Sequence, residues 1–237
     1  MSWRISPQYK DPDYSSVSLL LHGNGTNGST TITDNSPSPK TVTAVGNAQI
    51  STDQSKFGGA SLVFDKVDDR LTLAASSDFA FGTGDFTIEF WAYSRDVSAV
   101  QKGFFQISSA TGGLSTSYVN GILIYQGGGV GGRTLDGGLV AVVNNNFIGS
   151  NVAVLTPNTW FHVALTRASG TARLFFNGNV HASIANTSDL TGSNLVVGGV
   201  YNTVFLYDGY IDDLRITKGV ARYTSNFSVP PAQFPDI

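Results

Sequence analysis

The chain has 237 residues and no cysteine, which excludes disulfide bonds, thiol catalysis and cysteine-ligated metal centres. Its formal net charge of −3 gives no basic surface for nucleic acid, and no apolar run approaches the roughly 20 residues that a membrane-spanning helix needs. Charged residues are only 13 % of the chain and glycines number 27, a composition that favours β-strands joined by tight turns over amphipathic helices.

Taken in chain order, the apolar residues fall in short runs separated by turn residues. Residues 1–16 show no periodicity and predict an extended arm. The strands predicted after it are Val17–His22, Ser29–Thr33, Lys40–Val45, Ser61–Phe64, Arg70–Leu73, Phe86–Ser94, Phe104–Ser108, Gly121–Tyr125, Gly138–Val143, Phe161–Arg167, Thr171–Phe176, Val180–Ile184, Leu195–Val197 and Tyr210–Thr217. Asn177-Gly178 is the strongest hairpin signal, because a type I′ turn needs positive φ at both central residues. So many short strands without a long helix predict a sandwich or a barrel.

Five segments in this order resemble the laminin-G-like, concanavalin A-like jelly-roll domains: Lys56–Asp65, Asp85–Trp91, Trp160–Arg167, Arg173–Val180 and Gly209–Thr224. The last of them is similar to copies found in bacteriophage virion proteins, including fibres and surface appendages. The resemblance implies an all-β, two-sheet antiparallel jelly-roll sandwich over residues 17–237, with ligands at loop rims or on a concave face. A fold of this kind hosts lectins, glycosidases, adhesins and inert structural modules, so it does not decide function.

The acidic residues predict no catalytic site. Glycoside hydrolysis needs two carboxyl groups about 5–5.5 Å apart in retaining enzymes or about 6.5–9.5 Å apart in inverting ones. Glu89 is the only glutamate in the chain, and its neighbours on the same strand face are Thr87 and Trp91. We therefore predict that Glu89 forms a structural ion pair with an arginine such as Arg215 or Arg167, and that the protein is not an enzyme.

No metal or other cofactor is predicted, with calcium as the open alternative. The stretch Asp65–Asp69 carries carboxylates of the kind that calcium prefers, but we expect Lys66 and Arg70 to neutralise this loop. Asp212 and Asp213 are interpreted as carboxylates that accept hydrogen bonds from a turn or a neighbouring strand. The three histidines are predicted to be strand-face residues: His22, His162 and His181.

Sugar recognition is the binding function that the residues leave open. Aromatic rings stack on the C–H faces of sugars, while amide and backbone groups form hydrogen bonds with hydroxyls. The predicted glycan-binding residues lie near loops or strand ends: Tyr118, Asn120, Tyr125, Tyr201 and Tyr207. The alternative for the tyrosines is packing at the rim of the sandwich.

The resemblance to virion proteins, together with the lack of a predicted catalytic site, implies a non-enzymatic structural protein on the surface of a phage virion, as a capsid decoration, fibre or tail-surface component. Trp3 and Tyr9, in the arm of residues 1–16, are predicted to dock on other virion proteins, with a frayed terminus as the alternative. The domain of residues 17–237 is expected to adhere to host-surface polysaccharide, and a homo-oligomer would multiply weak contacts by avidity.

The expected location is the virion surface after assembly in the host cytoplasm, because the first residues contain no signal-peptide-like apolar stretch and the chain has no cysteine. Nucleic acid and membrane insertion are not expected. Two other functions stay open: a free carbohydrate-binding lectin with calcium optional, and, third, a glycoside hydrolase.

Overall fold

A computed structural model describes residues 10–109, 120–128, 134–200 and 205–237. These residues form fifteen strands: β1 Val17–Leu21, β2 Val42–Val45, β3 Gln49–Ser51, β4 Ser61–Asp65, β5 Arg70–Leu73, β6 Phe86–Ser94, β7 Lys102–Ser108, β8 Ile122–Gly128, β9 Thr134–Val143, β10 Asn146–Gly149, β11 Trp160–Ala168, β12 Thr171–Phe176, β13 Asn179–Ala185, β14 Asn194–Val197 and β15 Asp208–Lys218. Two short 3-10 turns lie at Tyr14–Ser16 and Ser77–Phe79. Over the same ranges, no helix has the length and apolar character needed to span a bilayer.

The strands form two antiparallel sheets that pack face to face. The first sheet has the order β13-β12-β11-β6-β15-β4-β3, with β1 also paired to β15, and the second has the order β10-β9-β8-β7-β14-β5-β2. Phe104 of the second sheet contacts Phe90 and Phe161 of the first, at ring-centroid distances of 5.6 and 6.0 Å. The predicted all-β sandwich is confirmed, and its core is the apolar layer between the sheets.

The alternation within β6 is also confirmed. Phe86, Ile88 and Phe90 are fully buried in the core between the sheets. Residues 87, 89, 91 and 93 therefore point to the outer face of the first sheet, since successive side chains of a strand alternate between its faces.

The structure differs from the predicted strands at three places. Residues 29–33 are irregular rather than a strand, because the Ser29 N–H closes a turn onto the Thr26 carbonyl at 3.0 Å. The short strands β3 and β10 were not predicted. Strand β10 pairs with β9 through a tight hairpin in which Asn144 and Asn145 have φ of 47° and 63°. The predicted Asn177-Gly178 hairpin is confirmed, with φ of 48° and 78°.

A C-terminal segment, residues 219–237, crosses part of the outer face of the first sheet, and we call it the C-terminal strap. The Tyr223 hydroxyl donates to Glu89 Oε2 at 2.9 Å, and the Arg215 guanidinium lies 3.7 Å from the centroid of the Phe234 ring. The strap therefore buries the outward-facing side chains at one end of β6 and β15.

The folded domain begins before Val17. Asp11 is 7 % exposed, and its N–H donates to the carbonyl of Ile237 at 3.0 Å. The later part of the predicted arm, at Asp11, is thus packed against the sandwich. Trp3 and Tyr9, the predicted docking residues, lie outside the described residues.

Candidate functional site

The part of the outer face that the strap leaves uncovered carries three aromatic side chains in a row. Tyr210 on β15, Tyr93 on β6 and Trp160 on β11 are cross-strand partners. Ring centroids are 5.7 Å apart between Tyr210 and Tyr93 and 5.6 Å apart between Tyr93 and Trp160. Tyr93 and Trp160 are half-buried, so their rings are partly open to solvent. We call these three residues the aromatic row.

A glycine allows the strands to meet at this place. Gly209 precedes Tyr210 and has φ of +153°, and a side chain there would collide with the Tyr93 carbonyl and the Tyr207 ring. The close approach of β15 to β6 beside the aromatic row therefore depends on the missing Cβ.

A groove of about 420 Å³ lies beside Tyr210. Strands β3, β4 and β15 contribute side chains to it, and loops of the same end of the sandwich complete it. Its lining is largely polar: Asn27, Asn47, Gln49, Ser51, Asp53, Val63, Asp65, Asp69, Arg95 and Tyr210. The groove thus places amide, hydroxyl and carboxylate groups next to an aromatic ring.

Arg95 holds the Tyr210 ring in place. Its guanidinium carbon lies 5.0 Å from the Tyr210 centroid, Nη2 donates to the Phe64 carbonyl at 3.0 Å, and Nη1 is 3.5 Å from Asp208 Oδ1. The guanidinium is therefore already committed to protein partners and stacked on the ring.

Three carboxylates cluster at one end of the groove. Asp65, Asp68 and Asp69 each offer an oxygen within 4.8 Å of the others. Asp69 is 2 % exposed, and its two oxygens accept the N–H groups of Asn47 and Asp65. Burial raises the pKa of Asp69, and the charge of Asp65 adds to this effect. Hard cations such as Ca²⁺ prefer such oxygens, but they take six to eight of them.

The expected neutralisation of this cluster by Lys66 is wrong. Lys66 Nζ instead lies 3.2 Å from Asp208 and 4.0 Å from Asp96. Arg70 Nη1 donates to the backbone carbonyl of Asp68 at 3.1 Å rather than to a carboxylate. In the described part of the chain, no lysine or arginine therefore forms an ion pair with these three carboxylates.

Glu89 lies in a sealed ion-pair network under the C-terminal strap. The side chain has no exposed area, and Oε1 accepts from Arg215 Nε at 3.0 Å and Nη2 at 2.7 Å. Burial alone would raise the pKa of Glu89, but the charge and hydrogen bonds of Arg215, together with His162 Nε2 at 3.4 Å from Oε2, outweigh it and hold the pKa at about 2. The predicted pairing of Glu89 with Arg215 is confirmed.

The same network reaches both ends of the described chain. Arg215 Nη1 lies 2.9 Å from Asp11 Oδ2, and Arg222 Nη2 lies 2.7 Å from the same oxygen. Arg167, the other candidate partner of Glu89, donates instead to the carbonyls of Gly82 and Gly84. No solvent reaches Glu89, so this carboxylate has a structural role.

Asp212 and Asp213 accept hydrogen bonds from other elements, as predicted. Asp212 Oδ2 accepts the N–H groups of Lys56 and Phe57 at 2.7 and 3.0 Å. Burial raises the pKa of Asp212 to about 7, and the charge of Asp213 adds to this rise. The hydrogen bonds from the two backbone N–H groups act in the opposite direction. Asp213 Oδ1 contacts His22 Nδ1 at 2.7 Å.

The predicted glycan-binding residues do not form one site among the described residues. Tyr207 is fully buried in the core, 3.0 Å from Ser94 Oγ, so its assignment to a surface site is wrong. Tyr125 is 4 % exposed and packs in an apolar cluster with residues of β8 and β9. The Asn120 N–H donates to Asn144 in a turn. Tyr118 and Tyr201 lie outside the described residues.

Comparison with known proteins identifies the family of this chain. The family model Laminin_G_3, described as the Concanavalin A-like lectin/glucanases superfamily, matches residues 65–222, more than half of the chain. The chain belongs to this superfamily. No curated protein matches the superfamily domain by sequence.

Solved structures agree with this assignment. Domain 4 of AbnA, a GH43 extracellular arabinanase from Geobacillus stearothermophilus solved with arabinotriose, has a TM-score of 0.61 and 17 % identity, covering 86 % of this chain and 93 % of that one. The binding domain of botulinum neurotoxin DC in complex with rat synaptotagmin II has a TM-score of 0.60 and 16 % identity, covering 88 % of this chain. The superfamily domain spans about half of that neurotoxin chain, 50 %. At these identities the likeness establishes the fold alone.

Proposed function

We propose that this superfamily domain is a non-catalytic carbohydrate-binding protein whose ligand lies in the groove and stacks on the aromatic row. The observation that carries the proposal is the juxtaposition of three partly buried aromatic rings with a groove of amide, hydroxyl and carboxylate side chains. Sugars present an apolar C–H face and a ring of hydroxyls, and this surface offers a partner for each.

The size of the groove fits a short part of a sugar chain. Its volume of about 420 Å³ falls in the range of small-molecule sites. Asn47 and Asn27 are exposed at its margin, while Gln49 is half-buried in its wall, so donors and acceptors are available at several depths. A sugar chain could continue from the groove across Tyr93 to Trp160.

The carboxylates support binding rather than hydrolysis. Asp65 and Asp69 are close enough to be compared with the acid pair of a retaining glycosidase. Asp69, however, is only 2 % exposed, and each of its oxygens accepts a backbone N–H, so this carboxyl holds its own loop together rather than facing a leaving group. Glu89 is sealed beneath the strap, away from the groove.

Trp160→Ala is expected to weaken glycan binding at least about tenfold, because it removes one exposed ring of the aromatic row. Gln49→Ala should weaken it less, since it removes one hydrogen-bonding group. Glycans that bind on a glycan array are then titrated against each variant, and calorimetry measures the binding affinity. Phe147→Ala is the matched control, because Phe147 is an aromatic side chain on the second sheet with 39 % exposure.

The control variant should bind as the unchanged protein does, and all variants should keep their thermal unfolding midpoint within a few degrees. Equal binding by Trp160→Ala would remove the aromatic row from the site. Each bound glycan is also incubated with the protein and tested for released reducing ends. Their appearance would replace the binding function with a hydrolytic one.

We propose further that the domain is displayed on the surface of a phage virion, assembled in the host cytoplasm, with host-surface polysaccharide as the ligand. The similarity of Gly209–Thr224 to segments of virion proteins supports this setting. Attachment to other virion proteins would use residues 1–9, and a homo-oligomer would raise avidity for a repetitive glycan.

Deletion of residues 1–9 is expected to abolish incorporation into particles while leaving the sandwich intact, because Asp11 and its ion pairs are retained. Incorporation is measured by immunoblotting of purified particles, and folding by thermal unfolding of the isolated protein. Undiminished incorporation of the shortened chain would contradict the docking role of this segment.

A further inference from the structure

We propose that the groove selects sugars that carry a free, protonated amine over N-acetylated and acidic sugars. This inference rests on the proposed function and adds the charge class of the ligand. It follows from the groove's unequal numbers of free carboxylates and free cations, together with the aromatic surfaces beside them.

The groove carries three carboxylates without a cationic partner. Asp53, Asp65 and Asp69 line it. In the described part of the chain, none of them forms an ion pair with a lysine or arginine. The exposed Asp68 adjoins Asp65 and Asp69 and adds a fourth negative charge at the same end.

Three nearby cations are committed elsewhere. Asp208 holds both Arg95, at 3.5 Å, and Lys66, at 3.2 Å. Lys102 Nζ lies 3.1 Å from Asp96. Arg70, which donates to the Asp68 carbonyl, is one cation beside four aspartates. A carboxylate or sulfate on a sugar would therefore meet a net negative surface, whereas an ammonium would be attracted.

Tyr210 adds an aromatic ring to the wall of the groove. Its side chain is 8 % exposed and lines the groove, beside the rings of Tyr93 and Trp160. The open faces of Tyr93 and Trp160 also attract cations, because aromatic rings carry negative charge on their faces.

The test uses four-residue β-1,4-linked oligomers of glucosamine and of N-acetylglucosamine, together with tetragalacturonate, below the pKa of the amine. Chelator is present throughout, so that a cation bound by the aspartates cannot reverse the charge. We expect the glucosamine oligomer to bind about tenfold more tightly than the acetylated one, and tetragalacturonate to bind least. The preference should shrink between about 0.05 and 0.5 M salt, because the attraction between exposed charges is screened.

Two substitutions locate the effect. Asp53→Asn combined with Asp65→Asn should reduce binding of the glucosamine oligomer about fivefold or more and leave the acetylated oligomer unchanged. Asp136→Asn, an exposed aspartate on β9, is the control for the overall negative charge of the protein and should change neither. Asp69 is kept, because it holds the backbone of its loop.

Equal binding of the amine and acetyl oligomers, or tighter binding of the acidic one, would overturn the inference while leaving the carbohydrate-binding function in place. The same holds if the paired Asp53 and Asp65 substitutions leave the glucosamine oligomer unaffected. If none of the oligomers and no glycan on the array bound to the protein, the proposed function itself would be overturned.

Discussion

An Arg215→Met variant is expected to lose about 3–5 kcal/mol of folding free energy, because the substitution leaves the buried Glu89 without its arginine and removes one of the two arginines that pair with Asp11. Glu89 has no exposed area and Asp11 has 2 % of its side chain exposed, and both contact Arg215 within 3 Å. Methionine keeps much of the apolar stem of arginine, so the loss reports the missing charge and its hydrogen bonds rather than a cavity. Denaturant unfolding monitored by fluorescence measures it.

Arg173→Met is the matched control, because Arg173 is half-buried on β12 and its one recorded hydrogen bond is to the carbonyl of Thr171, at 3.4 Å. It should cost well under about 1 kcal/mol, as surface substitutions usually do. If both variants lost the same amount, the network under the strap would not be a source of stability. A similar loss in Arg215→Lys would show that the forked guanidinium geometry matters, since lysine supplies charge without it.

The difference in stability between the unchanged protein and Asp212→Asn is expected to shift in favour of the variant as pH rises from 5 to 8. The folded-state pKa of Asp212 is about 7, against 3.8 for the ordinary group. Between these values the folded state keeps a proton that the unfolded state has released. The contribution of the Asp212 carboxyl to the free energy of folding is therefore complete below pH 3.8 and is lost as pH rises through about 7.

The slope is at most about 1.4 kcal/mol per pH unit and acts over about two units between pH 5 and 7, so the accumulated change from pH 5 to 8 is roughly 2.5–3 kcal/mol. Asparagine retains an oxygen for the N–H groups of Lys56 and Phe57 but does not titrate. Denaturant unfolding is measured at several pH values, with Asp136→Asn as the control for an exposed aspartate. A difference between the two proteins that stayed constant with pH would contradict the raised pKa.

Other titrating groups define the range of this experiment. The pKa of Glu89 is lowered from 4.5 to about 2, so its contribution is present above 4.5 and is lost as pH falls toward 2. Measurements above pH 5 avoid that loss. Burial lowers the pKa of His181, which costs stability as pH falls below 6.5, but this occurs equally in both proteins and cancels in the difference.

Much of the fold could be predicted because the decisive signals are local. A strand repeats every two residues, so Phe86, Ile88 and Phe90 identify the core face of β6 without knowledge of any partner. The Asn177-Gly178 turn is likewise readable in two residues. Strand β3 is only three residues long, too short for such a period, and it forms because it pairs with β4.

The aromatic row could not be predicted in this way, because Tyr93, Trp160 and Tyr210 meet through strand register. Each lies on a different strand, and the pairing of β15 with β6 shifts between Asp212 and Arg215. Whether a tyrosine near a strand end faces solvent depends on that pairing. Tyr207 shows the converse case: it precedes β15 by one residue, yet its ring turns inward against Phe104 at 4.9 Å.

The position of β15 has a consequence for the order in which the molecule can assemble. It is the last strand of the described chain, but it lies in the middle of the first sheet, beside β6, β4 and β1. During synthesis the strand edges that pair with β15 therefore stay unpaired until residues 208–218 leave the ribosome. Pairing between such distant parts of a chain is slow. Nascent chains halted before Gly209 should therefore depend on chaperones, which keep the unpaired strand edges from joining other chains.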